Sequence, residues 1–344
     1  MATIKEIAKL TNVSIATVSN VLNKKPGSAS QEKIEEIMNA VKLLNYQPNA
    51  LAQSLRNQKS KTIGIIAEDL TVYQTAEIID GIEEYCETYG YYTLMANMRL
   101  FKRYGNNLTV TQKHFELFDN AVNSLISKQV EGFIYIAHHC REIPYFPPNA
   151  NFPFVYTYCI PKDKNYPYVL LNDETASLEV GRTLISFGHR NIGIISGPIS
   201  SLNSQTRLNG FQKALFEASI PYNVDSTIVG DWTRESGYQA AEQLITKGVT
   251  AIYAFNDMMA SGVYIYCIDH GISIGKDISL FGYDNLNIVD SYSPPISSVE
   301  PHLNEVGQKS AELVLSQLRG ESVAAQRYVL PCTLHIRKSI KSLI

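Results

Sequence analysis

Ile15, Ala16, Ser19 and Asn20 fall on one side of a short helical stretch, and an exposed stripe of such side chains can reach the edges of DNA bases. The stretch runs from Ile15 to Leu22, with Ser14 as its N-cap and Val18, Val21 and Leu22 on the apolar side. Before it, Thr3 to Leu10 opens on a T-x-x-E capping box, Thr3 accepting from the amide three residues on while Glu6 reaches back. Ile4, Ile7 and Ala8 then share one face, and Thr11-Asn12-Val13 breaks the pattern as a tight turn. Two short helices so joined make a helix-turn-helix, whose second helix would lie in the major groove.

No other local pattern offers chemistry. There is no P-loop, no G-x-S-x-G and no H-E-x-x-H, so no catalytic constellation and no cofactor site is expected. His138-His139-Cys140 invites a metal reading, but adjacent side chains do not readily converge on one ion and no second cluster has ligand spacing. Five cysteines, odd in number and without a C-x-x-C pair, suit a reduced compartment. The N-terminus MATIKEIAKL has no apolar signal core and no run approaches a bilayer span, so a cytoplasmic, nucleoid-associated protein with no membrane partner is expected. The net charge of −3 is unevenly spread: residues 1–61 hold nine Lys/Arg against four Asp/Glu, a basic head on an acidic body. That is the footprint of a protein meeting phosphates with one end only.

The elements around these residues follow from periodicity. Ser30 can cap a third helix on which Ile34, Ile37, Met38, Val41 and Leu44 repeat, closing a three-helix core before Tyr46-Gln47-Pro48. Asn49 to Arg56 has good helix formers but too few turns to be stable alone in water. From Lys61 short apolar runs alternate with helical stretches, from Thr62-Ile63-Gly64-Ile65-Ile66-Ala67 onward, which implies parallel sheets covered on both faces.

Val13-Ser14-x-Ala16-Thr17-Val18-Ser19-x-Val21-Leu22-Asn23 closely resembles the signature of the lactose-repressor (LacI/GalR) family of bacterial transcription regulators. Asn12 stands where that family usually has Gly, a mild departure because Asn also tolerates a left-handed backbone. The resemblance implies an all-α helix-turn-helix head on an α/β periplasmic-binding-protein-like body of two parallel-sheet lobes. It divides the chain into a head, 1–46; a hinge, 47–61; a first lobe, 62–160 plus 293–322; and a second lobe, 161–292 plus 323–344. It further implies a homodimeric repressor on a near-palindromic operator, with hinge helices that fold only when paired and a leucine wedged into the minor groove. The DNA contacts it assigns are Thr3, Ser14, Ile15, Ala16, Thr17, Ser19, Asn20 and Asn23, with Leu55 as the wedge and Ala52 at the hinge contact. Asn20 could pair with both hydrogen-bonding groups of an adenine, while Ile15 and Ala16 could touch a thymine methyl or exclude bulk.

The same resemblance places a small-molecule effector between the lobes and assigns it Arg207, Trp232, Asn256 and Asp284, with Tyr73, Gln74, Tyr158 and Ser201 around them. A planar guanidinium offers forked donors to vicinal hydroxyls or a carboxylate, an ionised aspartate accepts from two hydroxyls, and an indole stacks on a sugar ring. The competing structural roles are a helix cap for Asp257 and a buried salt bridge for Arg207 or Asp284. The first lobe departs from the family's usual aromatic pair, since Gln74 and Thr75 follow Tyr73, and Thr157-Tyr158-Cys159 ends a strand that often ends in an acid. The loop Ile199-Ser200-Ser201-Leu202-Asn203 lacks the arginine that the purine-responsive branch carries near Ser201. A mono- or disaccharide is therefore expected, with a nucleobase or a phosphoprotein docked on the first lobe as the alternatives for the same regulator. A sugar-binding transport receptor is the reading from a different class.

Overall fold

The structure, a computed structural model, describes residues 2–23, 25–46, 59–105, 109–147 and 152–344 of the chain. It divides into two units, residues 1–60 and 61–344. In the smaller unit α1 (Ile4–Leu10), α2 (Ile15–Leu22) and α3 (Gln31–Leu43) close around Ile7, Val18 and Ile37, all fully buried. Polar side chains set their starts: Glu6 accepts from the Thr3 amide at 2.7 Å, Ser14 from the Thr17 amide at 3.0 Å and Ser30 from the Lys33 amide at 3.4 Å. Asn12 turns the chain between α1 and α2 in a left-handed conformation, φ 49°.

Two expectations for this unit need correction. Ser19 is buried and leaves the exposed stripe, because α1 and α3 both pack on α2 and narrow its open arc. Met38 stays 40% exposed, since α3 turns Ile37 and Ala40 inward instead. Residues 47–58 of the expected hinge, 47–61, with Ala52 and Leu55 among them, lie outside the described residues.

The larger unit runs through β1 (Thr62–Ala67), α4 (Tyr73–Thr88), β2 (Tyr92–Asn97), α5 (Leu100–Tyr104), α6 (Gln112–Ile126), β3 (Gly132–Ile136), β4 (Glu142–Ile143), β5 (Phe154–Thr157), β6 (Ile160–Pro161) and β7 (Tyr168–Leu171). It continues through α7 (Asp173–Ser186), β8 (Ile192–Ser196), α8 (Leu202–Glu217), β9 (Thr227–Val229), α9 (Arg234–Thr246), β10 (Ala251–Ala254), α10 (Asp257–Asp269) and β11 (Ser279–Phe281). Last come β12 (Ser298–Glu300), α11 (Leu303–Leu318), β13 (Arg327–Leu330) and β14 (Thr333–His335).

Six strands pair in the order β13-β7-β5-β3-β1-β2 and four as β11-β10-β8-β9, every neighbour parallel. Successive side chains of β1 face opposite ways: Ile63 and Ile65 join the core under α4 and α11, and Ile66 joins the one under α6. Helices α4 and α11 touch backbone to backbone, since a Cβ on Gly81 would stand 1.9 Å from the Asn304 carbonyl oxygen and one on Gly307 2.0 Å from that of Ile78. No helix among the described residues is long and apolar enough to cross a membrane.

The lobe boundaries differ from those expected. The crossings placed near Pro161 and around residues 319–325 fall later, after Leu171 and after Leu330, because β7 and β13 belong to the six-stranded sheet. Each has four residues, a length at which periodicity cannot tell strand from loop. An antiparallel pair, β12 with β14, runs beside these crossings. The C-terminal residues then return to the second lobe, where the Leu280 amide donates to Ser339 at 3.0 Å and the Leu343 amide to Phe187 at 2.8 Å.

Candidate functional site

Residues that follow strands of both sheets line one cavity of about 400 Å³. Tyr73 and Gln74 open α4 after β1, and Tyr158 follows β5. From the second lobe Trp232 follows β9, Asn256 follows β10, Asp284 follows β11, and Arg207 reaches in from α8. Parallel sheets present ligand sites at these carboxyl ends of their strands. Seven of the eight residues chosen from sequence thus share one wall. Ser201 does not: it is the N-cap position of α8, 1% exposed, and it is not on the cavity lining.

Arg207 is buried among partners. Its Nε donates to Asp173 Oδ1 at 2.8 Å, its Nη1 to the Phe255 carbonyl, and its Cζ lies 3.4 Å from the centre of the Tyr283 ring. Burial works against its charge, and Asp173, Tyr283, Asp284 and Tyr158 together outweigh that penalty, so the guanidinium stays protonated. Among the described residues Nη2 makes no hydrogen bond, which leaves it free to donate to a ligand. The buried salt bridge weighed for Arg207 is therefore present, and it coexists with a place on the cavity wall.

Asn256, not Asp257, caps α10: its Oδ1 accepts from the Met259 amide at 2.8 Å while its Nδ2 donates to the Trp232 carbonyl at 3.0 Å. Asp257 lies beneath, accepting from Ser298 Oγ at 2.7 Å and the Leu286 amide at 2.8 Å. Burial pushes the Asp284 carboxyl up to about 7, against the pull of Arg207. Burial also raises Asp257, and the like charge of Asp284 adds to it. Gln74 Oε1 is buried without a hydrogen-bond partner among the described residues, and the buried Tyr73 hydroxyl faces the Asp284 carboxyl. Trp232 packs on Gly197, where a Cβ would come within 2.0 Å of the indole.

Sequence reasoning missed His139, Asn203 and Phe101 on this wall, together with Thr71, Val72, Asp231, Thr233 and Met258. Topology was the available signal for His139, which stands in the loop after β3 as Tyr158 stands after β5. Its ring faces Trp232 with centroids 6.2 Å apart and planes 21° from parallel. Burial, with His138 and Arg141 nearby, pushes its imidazole down to about 3 and keeps it neutral. Among the described residues no group of three or more His, Cys, Asp or Glu side chains is placed to hold a metal.

In the head, Ile15 is 45% exposed, Ala16 is exposed and Asn20 half-buried. The other candidates have local roles as well. Thr3 donates to Glu6, Ser14 caps α2 and its hydroxyl meets that of Thr17 at 2.9 Å, and the Asn23 amide holds the Ser19 carbonyl at 2.7 Å.

Residues 3–49 match the bacterial regulatory proteins of the lacI family, and residues 182–340 a periplasmic binding protein-like domain. The whole chain is 30% identical to the HTH-type transcriptional repressor PurR of Vibrio parahaemolyticus, with all of both chains covered. It is 32% identical to the PurR of Pasteurella multocida, with 99% of each covered. The chain belongs to the lacI family of bacterial regulatory proteins. Its fold aligns with the Lac repressor dimer bound to operator and the anti-inducer ONPF at a TM-score of 0.80 and 26% identity, over 99% of each chain. It also aligns with a transcriptional regulator CelR–cellobiose complex at 0.66 and 23% over 98% and 100% of the two chains, a likeness of fold. This lacI-family protein is a DNA-binding transcriptional repressor and not an enzyme, and the transport-receptor reading is set aside.

Proposed function

We propose that this repressor is controlled by a neutral, hydroxyl-rich effector, a mono- or disaccharide, held in the interlobe cavity. The observation that carries this reading is the convergence of Trp232, Arg207 and Asp284 on one cavity with Tyr73 and the unpartnered Gln74 Oε1. An indole face suits the apolar face of a sugar ring, and a guanidinium nitrogen opposite a carboxyl suits neighbouring hydroxyls. The volume, about 400 Å³, lies toward the small end of ligand pockets. The charge disfavours an anion: Asp173 already answers Arg207, Asp231 adds negative charge, and no lysine lines the cavity among the described residues.

A nucleobase is the second reading. In its favour the full-length relatives named PurR are 30% and 32% identical, above the 26% of Lac repressor, and an aromatic wall also accepts a flat ring. A phosphoprotein on the first lobe fits less well. The groove beside α4 and α11 is lined by Glu77, Glu84, Glu305 and Glu312, and its Lys309 is already paired with Glu312 at 2.8 Å.

The working unit is a cytoplasmic homodimer on a near-palindromic operator, with Ala52 and Leu55 at the paired hinges, as suits likeness to a Lac repressor dimer on its operator. The effector acts by favouring one arrangement of the lobes over another. Trp232 is the only tryptophan, so its emission reports on the cavity alone. Titration with lactose, cellobiose, ribose, glucose 6-phosphate and hypoxanthine should move that emission with a neutral sugar and not with the phosphate. A response to hypoxanthine alone would replace the sugar by a nucleobase.

A further inference from the structure

Under the first-lobe wall lies a buried polar cluster with no part in the reading above. Glu68, the residue after β1, is fully buried and accepts five hydrogen bonds. They come from the Tyr135 hydroxyl, the His138 amide at 3.0 Å, His138 Nδ1 at 2.6 Å, and Arg141 Nη1 and Nη2 at 2.9 and 2.6 Å. Burial alone would raise this carboxyl, but Arg141 and His138 hold it far below the usual carboxylate range. An ion pair so satisfied fixes the main chain that carries its partners, residues 138–141.

That segment is held from the other side too. The Cys140 amide donates to Asn203 Oδ1 at 3.2 Å, and the Leu202 amide donates to the Cys140 carbonyl at 3.3 Å, both across to the start of α8. Asn203 passes its own amide to Asp173 at 2.9 Å, the carboxylate that holds Arg207. Between these two anchors, His139 is the side chain left on the cavity wall.

We propose that His139 is a specificity-determining contact for the effector, set in place by the positioning residues Glu68 and Arg141. The inference rests on the cavity being the effector site. Its ring faces Trp232 from the opposite lobe, and neither ring nitrogen is bonded to the protein among the described residues. A neutral imidazole presents one N–H and one lone pair, which suits a hydroxyl that both donates and accepts. A ring lying on Trp232 therefore meets His139 only when the 138–141 segment is seated on α8, so the contact favours closed lobes. Because the imidazole is uncharged, it selects by the position of a hydroxyl and not by charge.

Two arms test this with the full-length protein. Without ligand, Glu68→Gln and Arg141→Lys loosen the segment and uncover the indole, so acrylamide quenching of the single tryptophan rises above wild type in folded protein. Unchanged quenching in both variants overturns the positioning role. With whichever of lactose, cellobiose or ribose binds the wild type, His139→Ala weakens binding about tenfold, about 1.4 kcal/mol. His139→Gln keeps an uncharged donor and acceptor and recovers most of that loss. Equal affinity of His139→Ala and wild type overturns the contact. If no sugar in the set binds the wild type by calorimetry, the effector reading falls and takes the contact with it, while the ligand-free arm still decides whether Glu68 and Arg141 place His139.

Discussion

Arg207→Ala is the direct way to remove the cation from the cleft, and its surroundings impose a second consequence. The Arg207 side chain is 3% exposed and the Asp173 side chain it pairs with is 7% exposed. Alanine strands that carboxylate with, among the described residues, only the Asn203 amide at 2.9 Å, and also leaves the Phe255 carbonyl and the Tyr283 face without their partner. Breaking a buried ion pair from one side costs about 3–5 kcal/mol. Each kcal/mol lowers the melting midpoint of a unit this large by about 2–4 °C, so a fall of about 6–20 °C is expected. Asp173→Asn in the same chain removes the stranded charge, and the double variant should regain about 1–3 kcal/mol relative to the sum of the singles. Calorimetric melting of wild type, both singles and the double gives the cycle, with sugar affinity measured below the lowest transition. Arg207→Ala melting within about 2 °C of wild type would refute the argument, since it would mean that the pair contributes under about 1 kcal/mol. Loss of effector response in Arg207→Ala has meaning only at a temperature where that variant is folded.

Three further outcomes are expected. Asp284 has its carboxyl raised from 3.8 to about 7 on folding, so the folded state holds that proton more tightly and stability drains away as pH rises between those values. Asp284→Asn should flatten that part of the melting profile, and identical profiles in the two proteins would show that Asp284 does not titrate there. Gly197→Ala puts a methyl 2.0 Å from the indole and should displace Trp232, seen as changed acrylamide quenching; an unchanged value would mean that the methyl is accommodated without uncovering the ring. Leu55→Ala should weaken operator binding more than binding to random DNA, because only the specific complex bears the bend; equal losses on both would remove the wedge.

What could be read from the chain was local. Thr3, Ser14 and Ser30 announce three helix starts, and a helix-turn-helix is built from contacts a few residues apart. The strands of the body are legible where, as in β1 and β8, a run is apolar and long enough to be buried on both faces. Strands β7 and β13 are not, because what makes them strands is pairing with each other across more than a hundred residues. The cleft divides the same way. Trp232, Asn256 and Asp284 end recognisable strands, whereas His139 reaches the wall only because Glu68 and Arg141, 73 residues apart in sequence, pair beneath it. Ser201 shows the converse: its place in the loop was legible, but not that the start of α8 buries it off the cavity lining.

Backbone conformation gives an independent reason to connect Trp232 and Asp284 with function. Their φ angles are 72° and 111°, a region where side chains other than glycine's are strained by about 1–3 kcal/mol each. Neither position is glycine, so at both the side chain is kept despite the strain. The surroundings hold each in place: the Asn256 amide grips the Trp232 carbonyl at 3.0 Å, and the Val299 carbonyl takes the Asp284 amide at 2.7 Å. Both grips come from residues on the second lobe's side, Asn256 after β10 and Val299 in the core it shares with β10 and β11, so the strain is held within that lobe. The second lobe thus carries a preformed half-site, Trp232, Asp284 and Arg207, while the first lobe supplies His139 and Tyr73 from elements that meet it across the cavity. A ligand that touches both halves gains contacts only as the lobes come together, which is the differential affinity a two-state regulator requires.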